Sequence, residues 1–148
     1  MTIFLAADHA GFELKEFIKK ELESGGHTIV DKGAYALEPS DDYPPYMKAA
    51  TIEVQKNPES RGILFGGSGE GEAIVANRFR GVRAVVYYGG SKKIIVLSRE
   101  HNDANILSIG ARFLSKEEAL EAVLLWIQTP FSGDERHARR IKEIDETA

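Results

Sequence analysis

The chain is expected to adopt an α/β fold, a three-layer, doubly wound, Rossmann-like sheet of five parallel strands with a helix added at the C-terminus. Three observations predict it. Apolar runs of strand length alternate with segments whose apolar residues recur at helical spacing. Glycine, proline or dense polar breaks separate the two kinds of segment. The length, 148 residues, suits one domain, 1–148, around one core. Strands alternating with helices imply a parallel sheet covered on both faces.

The elements follow in order. Ile3-Phe4-Leu5-Ala6 reads as a buried first strand. Leu14, Phe17, Ile18 and Leu22 then recur at helical spacing until Gly25-Gly26 stops the helix. Thr28-Ile29-Val30 is a short second strand. A helix carrying Met47, Ala50, Ile52 and Val54 stops at Asn57-Pro58. Ile63-Leu64-Phe65 is the third strand, with a glycine-rich turn directly after it. Ala84-Val85-Val86 is the fourth, followed by a helix near Ser91 to Arg99, and Asn105 to Ile109 form the fifth. Ser115 and Glu118 have the spacing of a capping box, and Leu120, Val123, Leu124 and Ile127 form the stripe behind it. Pro130 breaks that helix, and a highly charged helix starts near Asp134.

Composition removes several classes of function. A net charge of −4 gives no bulk attraction to nucleic acid or anionic membranes. No apolar run has the length that crosses a bilayer, and the start lacks the basic flank and cleavage pattern of a secretory signal. The absence of cysteine excludes disulfides, thiolate ligands and cysteine nucleophiles. A cytoplasmic location is the default expectation.

In doubly wound sheets ligands bind beyond the carboxyl ends of the strands, here after strands one, three, four and five. The turn after strand three, Gly66-Gly67-Ser68-Gly69-Glu70-Gly71-Glu72, lacks the Lys-Ser/Thr ending of a P-loop. Its spacing and position also miss the dinucleotide fingerprint, so a nucleotide-binding, flavodoxin-like reading is poor. Bare N–H groups beside carboxylates suit another task, holding a developing enediolate oxygen while a carboxylate takes a proton from carbon. The plainer reading is that Glu70 and Glu72 sit at a helix N-terminus, where negative charge is favoured.

Three further segments carry candidates. Asp8 after strand one is an N-cap candidate, and its neighbour His9 could donate to a phosphate or orient a hydroxyl. His101-Asn102 precedes strand five and so lies at the amino end of the sheet, the wrong end for its own pocket. It could serve a neighbouring subunit, with His101 as proton carrier. Arg136 and Arg140 stand four apart on one helix face, matched to a phosphate dianion, and Arg112 could add a third guanidinium.

In order and spacing these segments, with Asp42-Tyr43-Pro44 and Ala76-Asn77-Arg78, resemble the ribose-5-phosphate isomerase B family over essentially the whole chain. That family includes galactose-6-phosphate isomerase subunits. The resemblance implies isomerisation of ribose 5-phosphate and ribulose 5-phosphate in the non-oxidative pentose phosphate pathway, without metal or cofactor. It also implies a homodimer, or a tetramer built from it, with active sites shared between subunits. Carried residue by residue, Asp8 and His9 would contact sugar and phosphate, and Tyr43 would line the pocket. Gly67, Ser68, Gly69, Glu70 and Gly71 would form the anion hole. His101 would open the furanose ring, and Asn102, Arg112, Arg136 and Arg140 would bind oxygen and phosphate. Many members carry a cysteine base at the position of Gly66; here Glu72 would be the base instead. The alternatives are an isomerase of a six-carbon sugar phosphate, allose or galactose 6-phosphate, and a non-catalytic sugar-phosphate-binding protein.

Overall fold

The computed structural model describes residues 1–146, and they form the doubly wound sheet that the alternation predicts. The elements are β1 (Thr2–Ala7), α1 (Phe12–Ser24), β2 (Thr28–Asp31), α2 (Tyr43–Lys56), β3 (Arg61–Gly66) and α3 (Glu70–Ala76). They continue with β4 (Ala84–Tyr87), α4 (Lys93–Glu100), β5 (Ile106–Gly110), α5 (Lys116–Gln128) and α6 (Glu135–Asp145). All neighbours in the sheet are parallel, in the order β2-β1-β3-β5-β4. The winding reverses between β1 and β3, so the loops leaving these two strands diverge and open a crevice.

Side chains alternate across the strands and divide the core in two. Ile3, Leu5, Ile63, Phe65, Leu107 and Ile109 face α1, α4 and α5, where the Trp126 side chain is fully buried. Phe4, Ala6, Leu64 and Ile106 face Met47, Ala50 and Val54 of α2 and Ala76 of α3. Each large apolar side chain removed from water contributes about 1.5–3 kcal/mol, which fixes the register of strands that have no solvated face. The capping box at Ser115 and Glu118 forms as expected.

One local expectation is corrected. Asp8 is not the N-cap of α1; Gly11 is, and the Asp8 carboxylate instead accepts the N–H groups of Ala10 and Gly11 one turn earlier. The glycine-rich turn runs directly into α3 at Glu70, so both glutamates sit in its first turn, as the plainer reading had them.

A buried ion pair anchors the segment leading from β2 to the crevice. Lys15 of α1 has no exposed surface, and its Nζ donates to both Asp31 oxygens at 2.8 and 2.7 Å and to the Ala34 carbonyl at 2.8 Å. Burial pushes the Asp31 carboxyl up, but hydrogen bonds from Lys15, the Gly33 N–H and Lys19 outweigh it and hold the group below its ordinary value. Beyond Asp31 the chain stays beside β1, with Ala7 N–H donating to Gly33 O at 2.8 Å and Ala34 N–H to Ala7 O at 2.7 Å.

Replacing Lys15 with Met leaves Asp31 buried beside a single remaining lysine. Denaturant unfolding at pH 7 should show a loss of about 3 kcal/mol. Because the Asp31 pKa is depressed on folding, its contribution is complete above the ordinary aspartate value and disappears as pH falls through the lowered one. The difference between wild type and Asp31→Asn should therefore shrink only at strongly acidic pH.

Candidate active site

The crevice at the winding reversal holds a cleft of about 320 Å³ lined by Asp8, His9, Ala10, Tyr43, Gly67, Ser68, Gly71, Glu72 and Arg112. Three strand ends and one helix start meet there. β1 delivers Asp8 and His9, β3 delivers the glycine loop, β5 delivers Arg112, and Tyr43 is the first residue of α2.

The loop from Gly66 to Glu72 is held from behind by its carbonyls. Ala111 N–H donates to Gly66 O at 2.8 Å, Arg112 N–H to Gly67 O at 3.1 Å, and the buried Ser108 hydroxyl to Gly69 O at 2.6 Å. Gly69, with φ of 83°, is the N-cap of α3 and takes the left-handed turn that other residues resist. The N–H groups of Gly67, Ser68 and Gly69 have no acceptor among the described residues. Fixed carbonyls behind and unengaged N–H groups in front make a preorganised site for a developing negative oxygen. The Ser68 hydroxyl accepts the Glu70 N–H at 3.2 Å.

Glu70 and Glu72, both in the first turn of α3, part company. Glu70 is exposed and borders a different depression with Tyr88 and Ile94. Glu72 is 4% exposed. Its carboxylate fills the space above Gly66, where an added Cβ would land on Oε1. Burial pushes the Glu72 carboxyl up, the nearby Asp8 pushes it further, and a backbone N–H only partly offsets them. A carboxylate raised toward neutrality and set beside bare amides can exchange protons with carbon acids.

The rest of the wall is built against glycines. The Tyr43 ring lies so close to Gly71 that a Cβ there would come within 2.7 Å of its Cζ and Oη. Arg112 lies over Gly67, with its side chain otherwise exposed. His9 is held by Asp41, whose Oδ1 contacts the His9 backbone N–H at 3.0 Å and ring Nδ1 at 2.7 Å. Asp8, His9 and Asp41 form the one group among the described residues whose donor atoms lie close enough to share a metal ion, within 4.8 Å. Those donors already bind one another or the backbone.

His101, Asn102, Arg136 and Arg140 do not line this cleft. They gather where the turn after α4 meets the start of α6. There the His101 and His137 rings stack with centroids 4.2 Å apart and planes 18° from parallel. His137 is buried with its Nε2 unpartnered, and burial, then His101 and Arg136, hold its pKa below the ordinary imidazole value. Two somewhat larger depressions, about 340 and 390 Å³, lie at the amino ends of the strands around Met1 and Ser60. The arginines bordering the second are committed elsewhere, Arg61 and Arg99 to carbonyls closing α5 and Arg83 and Arg99 to Asp103.

Sequence reasoning missed Asp41 and His137. Asp41 stands in a polar stretch with its neighbour Asp42, and only the folded path of the loop separates their environments. His137 was hidden among the charges of α6, although its place between Arg136 and Arg140 was a signal.

Residues 3–144 match the family described as Ribose/Galactose Isomerase. Ribose-5-phosphate isomerase B of Mycolicibacterium paratuberculosis is 42% identical over 146 residues, covering 99% of this chain and 91% of that one. The protein of the same name from Escherichia coli is 37% identical over 142 residues, covering 96% and 93%. Among solved structures, ribose-5-phosphate isomerase B from Mycoplasma genitalium with bound ribulose-5-phosphate superposes with a TM-score of 0.93 at 35% identity, covering 98% and 94%. The Thermotoga maritima ribose 5-phosphate isomerase superposes with a TM-score of 0.91 at 42% identity, covering 99% and 98%.

The contact between Gly66 and Glu72 leads to two expectations. Gly66→Ala should expel the Glu72 carboxylate, so that carboxyl NMR titration finds its pKa returned toward the ordinary glutamate value with the fold intact. Glu72→Gln should raise the melting temperature at pH 8 by a few degrees, because it removes a buried charge. That gain should fade as pH falls from the raised folded value toward the unfolded one, where the wild-type carboxyl is protonated in both states.

Proposed function

The chain belongs to the ribose/galactose isomerase family, and from that premise we propose that it interconverts ribose 5-phosphate and ribulose 5-phosphate with Glu72 as the base that moves the proton between C2 and C1. One observation carries this reading: the only deeply buried carboxylate of the glycine loop, Glu72, stands in the cleft beside amides with no internal acceptor. The isomerisation needs a group that removes a weakly acidic proton and a field that holds the resulting enediolate. Glu72 supplies the first and the N–H groups of residues 67–69 the second. Well-placed donors of this kind contribute about 3–4 kcal/mol to the transition state. The raised Glu72 pKa narrows the gap between base and carbon acid. Asp8 orients the sugar hydroxyls or takes the anomeric proton during ring opening, and Arg112 adds positive charge at the rim.

The cleft of one chain holds His9 and Arg112 but neither His101 nor the Arg136 and Arg140 pair. We assign both to a second copy, whose His101 and Asn102 face the sugar and whose Arg136 and Arg140 hold the phosphate. The free edge of β4 supports this, because exposed Tyr88, Ile94 and Phe113 lie around it. So does α6, which buries one side chain, His137, against its own chain. Large exposed apolar residues grouped at a sheet edge mark an interface. No described helix is long and apolar enough to cross a membrane, and a cytoplasmic location fits a phosphorylated sugar substrate.

Glu72→Gln should lower kcat by about a thousandfold while leaving KM within about threefold. Full turnover in that variant would end the proposal. Arg136→Ala should instead raise KM, by about tenfold or more, with kcat little changed. Shared sites make a further demand. Glu72→Gln and His101→Asn proteins, each inactive, should regain about a quarter of wild-type activity when unfolded together and refolded, because half the random dimers contain one intact site. Sites complete within one chain would show no recovery.

A further inference from the structure

β5 carries one hydroxyl that the sheet itself does not need. Ser108 has no exposed surface. Its partners on the neighbouring strands are Leu64 and Val86, and it stands between Leu107 and Ile109. A hydroxyl set in an apolar layer costs free energy unless it finds a partner. Ser108 finds one on another segment. Its Oγ lies 2.6 Å from the carbonyl oxygen of Gly69, and because a carbonyl only accepts, the hydroxyl donates. That oxygen already takes the Ala73 N–H of α3 at 3.1 Å. Alanine in place of Ser108 would therefore leave no buried polar atom of this contact without a partner. The start of α3 does not require the serine, and the apolar layer does not favour it.

We infer that Ser108 is a positioning residue that holds the amides of residues 67–69 in place for the anionic oxygen of the reaction. This rests on reading the cleft as an isomerase site. The loop is tied to β5 and the turn after it at three carbonyls, Gly66 by the Ala111 N–H, Gly67 by the Arg112 N–H and Gly69 by the Ser108 hydroxyl. The first two are main-chain bonds, which do not depend on residue type. The third is, among the described residues, the one side-chain hydrogen bond that reaches residues 66–71 from outside the loop. It falls where the chain turns left-handed, at Gly69 with φ of 83°. There the backbone lies so close to β5 that an added Cβ would come within 3.1 Å of both Ser108 Oγ and the Ile109 carbonyl carbon. The ties at Gly67 and Gly69 thus bracket the three unengaged N–H groups. Donors that act on charge developing in the transition state lose their effect steeply when displaced. A ground-state sugar held through its phosphate and hydroxyls senses the same displacement far less.

Ser108→Ala and Ser108→Cys in the full chain make the test. The thiol is close in size to the hydroxyl but a weak donor, so the second variant separates the hydrogen bond from the packing. Both should lower kcat for ribose 5-phosphate by about tenfold and leave KM within about twofold. Both should bind a phosphorylated hydroxamate, whose oxygens imitate the enediolate, about tenfold more weakly, while a phosphorylated pentitol without such oxygens binds as before. Wild-type kcat in Ser108→Cys overturns the inference. Equal weakening of the two ligands overturns it too, because that marks general damage to the cleft. Amide NMR of the free protein needs no turnover. The Gly67, Ser68 and Gly69 signals should shift or broaden in Ser108→Cys, and unchanged signals overturn the inference whatever the activity. Displaced loop amides in a protein that isomerises no pentose phosphate would uphold the positioning and sink the functional reading alone.

Discussion

A missing side chain sets the environment of the Glu72 carboxylate. The Glu72 carboxylate occupies the volume that a Cβ at residue 66 would take. No other residue than glycine lets β3 run to its end and still leave room for a carboxylate folded back over it. That position excludes water from Glu72 and raises its pKa, first through burial and then through Asp8. It also places the group in one cleft with Gly67 and Ser68, whose N–H groups have no acceptor among the described residues. Burying a carboxylate is costly. The cost is met by a sheet whose strands, from Ile3 and Leu5 to Ile63, Phe65 and Ile109, have no solvated face.

Topology decides what stands opposite that carboxylate. Reversal of the winding between β1 and β3 places Asp8, His9 and the glycine loop on two sides of one crevice, and β5 brings Arg112 to its rim. The turn between α4 and β5 necessarily lies at the other end of the strands. His101 is therefore remote from the Glu72 of its own chain for a reason no side-chain motion can change. It is instead paired with His137 and tied to the start of α6, so that histidines and arginines travel as one group. The same chain thus carries candidate groups at both ends of its sheet, and the shared site proposed above would need two copies to bring them together.

Much of this was legible in the residues. The alternation of Ile3–Ala6, Ile63–Phe65 and Asn105–Ile109 with helical stripes foretold the parallel sheet, because buried strands leave continuous apolar runs. Ser115 and Glu118 foretold a capping box that forms. The helix N-terminus read at Glu70 and Glu72 also forms, and the structure buries Glu72 and exposes Glu70. Other features were not legible. Asp8 looked like an N-cap because residue type alone does not tell a cap from a turn one step earlier. Strand order was open, since local periodicity is silent on which strands become neighbours. Asp41 could not be distinguished from Asp42, because its partner lies 32 residues away and only the Lys15–Asp31 anchor and the path of residues 32–42 bring them together.

The most direct measurement is proton NMR of ribose 5-phosphate incubated with the enzyme in deuterium oxide. The account predicts that the C2 proton is replaced by deuterium at a rate whose acid limb follows the raised titration of Glu72. Retention of that proton by an enzyme that demonstrably binds the sugar phosphate, or exchange whose pH profile ignores Glu72, would contradict it.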